Sequence, residues 1–190
     1  MDLMNLLKDQ LGNQNVLQKL GQSVGADAGQ VSKLTELGLP AILEGLTRNA
    51  QTNDGAASLA KALDQHQDDD VDDLEGFLGK VDTDDGAKIL NHVFADKNSR
   101  VTGNLAKKTG LDAGQVMGVL SQLAPVVLGA LGKQKKEQNL DASGIAGLLP
   151  GLGGLLGGGG GKSGIAGLLD SDGDGDIMDD VQGLLGKFMK

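Results

Sequence analysis

Residues 20–49 align without a gap on residues 105–134, an offset of 85 positions, and this repetition constrains the fold more than any other feature of the chain. Gly25-Ala26-Asp27-Ala28-Gly29-Gln30-Val31 falls on Gly110-Leu111-Asp112-Ala113-Gly114-Gln115-Val116. Pro40, Leu43 and Leu46 fall on Pro125, Leu128 and Leu131, and after a one-residue insertion residues 56–63 fall on residues 142–149. A duplication of this kind predicts two similar units. Two repeats are few for an open solenoid, so they are expected to pack on one another or on another chain.

Each unit reads as consecutive short helices. Asp27 and Asp112 stand three residues ahead of Gln30 and Gln115, a capping-box variant in which carboxylate and amide each satisfy a backbone donor. Gly25 and Gly110 suit the left-handed stop of the preceding helix. Val116, Val119, Leu120 and Leu123 follow the i, i+3, i+4, i+7 spacing of one buried face, as do Leu3, Leu6, Leu7 and Leu11. Ile89, Leu90, Val93 and Phe94 make a third such stripe. No run of alternating β-branched residues with hairpin turns occurs, so the expected class is all-α. The expected architecture is duplicated short-helix units in a compact helical domain, with a Gly-rich segment and a C-terminal calcium-type loop plus helix. Its divisions are a first helical repeat at 1–67, an acidic linker and short helix at 68–83 and a second repeat at 84–149. A Gly-rich linker at 150–163 and an Asp-rich loop with a terminal helix at 164–190 follow.

The core must be aliphatic, because the 190 residues include only three aromatics, Phe77, Phe94 and Phe188. There is no Cys, which excludes disulfides and thiolate chemistry. A formal net charge of −9 argues against phosphate-backbone binding as the main task. The first residues carry neither the basic nor the apolar region of a secretory signal, so the expected location is cytoplasmic, with non-classical export left open. Residues 142–161 carry no charge, but half of them are Gly, too weakly hydrophobic for a membrane span. No transmembrane segment is expected.

Asp170-Ser171-Asp172-Gly173-Asp174-Gly175-Asp176-Ile177 has the front half of a calcium loop. Positions one, three and five aim oxygen at one point, Gly175 makes the sharp turn, the Asp176 carbonyl adds an oxygen, and Ile177 anchors the loop. The closing position is Val181 where a bidentate Glu belongs, so Asp180 closes a shortened loop or nothing does. The candidate metal ligands are Asp170, Asp172, Asp174, Asp176 and Asp180, with weak Ca2+ as the cofactor. The competing reading is that Asp176 or Asp179 merely caps a last helix with the stripe Val181, Leu184, Leu185, Phe188. Capping needs one carboxylate, however, and six crowd here, whose repulsion a divalent cation relieves.

Other motifs carry less. The acidic run 68–73 beside His66 reads as a solvated linker that supplies N-cap carboxylates to a helix over residues 74–81, and His92 as a core-edge residue. The segment 148–156 alternates Gly and Leu and reads as a loosely packed strap ahead of a flexible linker. Gly157–Gly161 with Lys162 and Ser163 is not a phosphate-binding loop, because position 156 is Leu and no strand precedes it. Residues 105–119 have the spacing of a DNA-binding helix-turn-helix, yet the would-be recognition helix has no basic residue from Asp112 to Ala130.

Four blocks, Asp85–Phe94, Lys107–Asp112, Leu123–Lys133 and Asp172–Gly175 with Asp179-Asp180-Val181, resemble a bacterial domain-of-unknown-function family (DUF family 937, YidB-like). The resemblance implies a helical fold and supplies no catalytic residue. With two isolated histidines and no nucleophile beside a base, no enzyme is expected, and catalytic and cofactor-binding residues are none. The expected role is a non-enzymatic helical-repeat scaffold or protein-interaction protein with a weak calcium-binding C-terminal loop, and a protein partner or self-association. The alternatives are a helix-turn-helix-like DNA-binding regulator and a membrane-surface-associated protein; no nucleic-acid partner is expected. Duplex DNA binding at physiological salt is predicted to be negligible in a mobility-shift titration. Nanomolar binding that weakens when Lys107 and Lys108 are both changed to Glu would reverse that ranking.

Overall fold

Every regular element in the described residues, 9–156 of a computed structural model, is helical. The elements are α1 (Gln14–Val24), α2 (Ala28–Asn49), α3 (Asn53–His66), α4 (Leu74–Leu78), α5 (Thr83–Phe94), a 3₁₀ turn (Ala95–Lys97), α6 (Asn98–Thr109), α7 (Ala113–Gln138) and α8 (Ala142–Leu156). Their ends are set locally. Gly25 and Gly110 stop α1 and α6 in the left-handed region, with φ of 69° and 76°, where a Cβ is penalised. Asp27 and Asp112 then start α2 and α7, each in a capping box with Gln30 or Gln115. Thr52, Asp73 and Asp82 cap α3, α4 and α5 with their side chains.

The centre of the domain is α7. Residues 119–132 are buried without interruption, so this stretch has no solvent face, and neighbours must cover it all round. Helices α1, α2, α3, α5 and α6 do so. The covering is exchanged between the two parts of the chain. Helix α1 packs on α7 and α6 packs on α2; helix α3 packs on α7 and α8 packs on α2. Among the described residues the core is aliphatic, with Phe94 its one fully buried aromatic and Phe77 at its margin.

Both long helices contain an interior proline, Pro40 in α2 and Pro125 in α7. Pro125 has no N–H, so the carbonyl of Ser121 four residues earlier loses its helical partner. Gly86 of α5 lies directly over it: a Cβ there would sit 1.7 Å from the Ser121 oxygen. Only glycine brings the backbone this close, and its Cα–H is a weak donor to the freed carbonyl.

Several sequence expectations need correction. Helix α4 ends at Leu78 instead of continuing to residue 81. Val71, inside the run read as a solvated linker, is 1% exposed and rests against Gly129 of α7. His92 is exposed and not a core-edge residue, while Val93 and Phe94 beside it are buried. Helix α8 continues to Leu156, so residues 150–156, assigned to the 150–163 linker, are helical. Glycine content argues against a helix there, but Ile145 and Leu149 bury completely against the body of the domain, and packing overrides propensity. Leu3, Leu6 and Leu7 lie outside the described residues.

Replacing Gly86 by Ala should lower stability by about 3 kcal/mol, since a backbone oxygen cannot move aside as a side chain can. At this chain length that is a fall of roughly 6–12 °C in Tm by circular dichroism at 222 nm. A shift under ~1 °C would contradict the close approach.

Candidate functional site

The most specific polar contacts in the domain join its two helical corners. Gln30 Nε2 donates to the carbonyl of Gly110 at 3.0 Å, and Gln115 Nε2 donates to the carbonyls of Gly25 at 3.0 Å and Val24 at 3.2 Å. The exchange is reciprocal: each glutamine opens one long helix and bonds the closing turn of the helix that precedes the other. Its own Oε1 meanwhile accepts from the N-cap amide, Asp27 N–H at 3.4 Å and Asp112 N–H at 3.0 Å. One primary amide thus satisfies a donor at a helix start and an acceptor at a helix end. Gln122 adds a bond from Nε2 to Ser23 Oγ at 2.7 Å.

A second polar assembly ties the acidic run to the end of α7. Lys136 Nζ lies 2.5 Å from Asp68 Oδ1, and Lys133 and Lys135 pair with Asp72 and Asp64. The three cations stand at a helix C-terminus, where the dipole favours positive charge. His66 Nδ1 is 2.8 Å from Asp69 Oδ2, and its Nε2 is 3.5 Å from Asp85 Oδ2 on α5. The hydrogen bond to Asp72 is the main reason the Lys133 ammonium titrates above its ordinary range. A pKa raised on folding stabilises below the unfolded value of about 10.4, and that contribution is lost as pH rises through the folded value. Asp68, Asp69, Asp70, Asp73, Gly76, Phe77 and Lys80 line a cleft of 330 Å³ over this loop. Among the described residues, no group of three or more His, Cys, Asp and Glu side chains is placed to hold a metal ion.

On another face, Leu46, Leu59, Ala62, Ile89, Val93 and Leu128 line an apolar cleft of 200 Å³, with Asn49, Ser58, Lys88 and His92 at its edge. Small-molecule sites run to about 300–1,000 Å³, so this one suits an inserted side chain better than a cofactor.

The sequence-predicted metal ligands Asp170, Asp172, Asp174, Asp176 and Asp180 lie outside the described residues, and so does the terminal stripe Val181 to Phe188. The helix-turn-helix spacing corresponds to α6, Gly110 and α7. The first turns of α7, where a recognition helix would read bases, have Ala113 and Gly114 exposed and Gln115, Met117 and Gly118 half-buried, with no basic side chain among them. Helix α7 is also long and apolar enough to cross a membrane, and 78% of its most apolar window is buried inside the domain. Two features escaped the sequence reading: the glutamine exchange and the clasp of Asp64, Asp68 and Asp72 on Lys133, Lys135 and Lys136. The clasp had a partial signal, five aspartates at 68–73 and three lysines at 133–136, though Asp64 lies outside the acidic run. The second role of the glutamines had none, because capping already accounts for them.

A family model described as a bacterial protein of unknown function (DUF937) matches residues 5–134. No curated protein and no solved structure matches the chain.

Changing Gln30 or Gln115 to Ala should cost about 1 kcal/mol each, from a lost capping contact and a lost hydrogen bond to an exposed carbonyl that water then solvates. Urea midpoints of the two single variants should fall by similar amounts. A loss confined to one corner would show that the exchange is not reciprocal in energy.

Proposed function

The chain belongs to the bacterial DUF937 family, whose function is unknown, and we propose that it is a non-enzymatic helical scaffold or protein-interaction module with a weak calcium-binding loop at residues 170–180. The observation that carries the scaffold reading is the reciprocal glutamine exchange. Matched caps at Gly25 and Gly110, matched capping boxes at Asp27 and Asp112, and interior prolines at Pro40 and Pro125 all support a duplicated unit packed about an approximate two-fold axis. Several polar side chains among the described residues serve the fold. Thr35 and Thr109 donate to carbonyls within their own helices, Asp73 and Asp82 cap helices, and His66 pairs with Asp69.

A rigid body with a shallow apolar cleft at Leu46, Leu59, Ile89 and Val93 suits a partner that inserts one or two apolar side chains. The metal reading rests on the alternate placement of Asp170, Asp172 and Asp174 before Gly175, with Asp180 closing the loop. Its affinity should be weak, on the order of 10⁻⁴ M or poorer, because no bidentate Glu occupies the last position.

Calorimetric titration with calcium and with magnesium, run beside amide chemical shifts, tests the loop. Calcium should saturate the wild-type protein and fail to saturate an Asp174→Ala variant whose helices are intact. If millimolar calcium moves no resonance between Asp170 and Val181, the loop is a capping turn and the metal half of the reading falls.

A further inference from the structure

The seven residues Ser143-Gly144-Ile145-Ala146-Gly147-Leu148-Leu149, which begin α8, recur residue for residue twenty positions later as Ser163-Gly164-Ile165-Ala166-Gly167-Leu168-Leu169. The first copy occupies a groove on α2 and α3. Ile145 is 2% exposed and Leu149 0%, one helical turn apart on the face that fills it. Whatever contacts these seven side chains gain in that groove, an identical peptide on the same chain can gain too. We propose that the groove on α2 and α3 is a docking site for two alternative segments, and that residues 163–169 occupy it whenever residues 143–149 leave.

Two differences decide which copy holds the groove. Asp141 caps the first, its Oδ1 accepting from Gly144 N–H at 2.8 Å, whereas the corresponding position before the second copy is Gly161. A lost N-cap of this kind is worth roughly a five-fold preference. The connection from the end of α7 is residues 139–141 for the first copy and residues 139–161 for the second, about eight times longer. Loop closure then disfavours the second copy by roughly twenty-fold. Together the first copy is favoured by about a hundred-fold, which leaves the second as a minor state within the range ligands commonly redistribute. The exchange is intramolecular, because a tethered segment presents an effective concentration near the millimolar range and a second molecule does not.

Truncating Ile145 and Leu149 together should disfavour the first copy by more than about a thousand-fold, which exceeds its advantage. The test compares the full chain with three variants: Ile145→Ala/Leu149→Ala, Ile165→Ala/Leu169→Ala, and all four changes together. The account expects no loss of Tm from the second pair alone. It expects a loss of about 5–11 °C from the first pair, where the second copy takes over at its hundred-fold disadvantage, and a loss from all four that is larger by at least about 3 °C. In the first-pair variant the amides of Ile165 to Leu169 should gain protection from exchange relative to the parent chain. Equal losses for the first-pair and four-site variants, with no gain of protection, would overturn the proposal. A loss from the second pair alone equal to its further effect in the four-site variant would overturn it too, because those residues would then be buried elsewhere. Protection that rises with protein concentration would overturn the intramolecular form.

Discussion

A helix with no solvent face cannot be stabilised by its own half of a small domain, and α7 is such a helix from residue 119 to residue 132. A long apolar helix needs several neighbours at 8–10 Å to exclude water, and a helix-turn-helix unit provides one or two. The chain solves this by lending neighbours across its middle. Helices α1 and α3 lie on α7 beside its own neighbours α5 and α6, while α6 and α8 lie on α2, so each long helix takes part of its sheath from the other part of the chain. The remaining features follow from that exchange. With few aromatics to fill gaps, the crossings must be close, which is why glycine appears where backbones meet, as at Gly86 over Ser121.

The exchange also explains why the polar contacts fall where they do. When two helical corners meet, their exposed helix ends meet as well, and four backbone groups at each end need partners. Gln30 and Gln115 each supply partners for one N-cap amide and for carbonyls of the opposite corner. At the far end of α7, Lys133 and Lys136 meet carboxylates of the acidic run and Lys135 meets Asp64 of α3, which places charge of one sign against the negative end of the helix dipole and of the other sign against the lysines. Each such pair on the surface is worth little alone, on the order of 0–1 kcal/mol. Their joint effect is to hold the 68–73 segment down, with Val71 as its apolar pin.

Local features of the fold were legible in the sequence because local chemistry sets them. The left-handed stops at Gly25 and Gly110, the boxes at Asp27 and Asp112, and the absence of strands among the described residues all follow from residues within four positions of each other. What was not legible depends on residues far apart. Nothing near Val71 tells that it docks on Gly129, and nothing near Gln115 tells that it reaches Gly25. The glycines of residues 151–156 point away from a helix, and only the burial of Ile145 and Leu149 upstream explains why α8 carries on. His92 was misjudged for a related reason: its neighbours Val93 and Phe94 are buried, but its own position faces outward. The aspartates of the calcium-type loop were read from spacing alone, and they lie outside the described residues.

The central claim is that the two parts of the domain are folded through each other and not side by side. Separate expression of residues 1–82 and 83–190, each followed by calorimetric unfolding and amide-dispersion NMR, tests it most directly. Interlocked halves predict that neither fragment alone unfolds cooperatively, since α2 would lose α5, α6, α7 and α8 and α7 would lose α1, α2 and α3, and that an equimolar mixture regains a single cooperative transition with dispersed resonances. A fragment that unfolds cooperatively by itself, with α2 or α7 protected from exchange, would contradict the account.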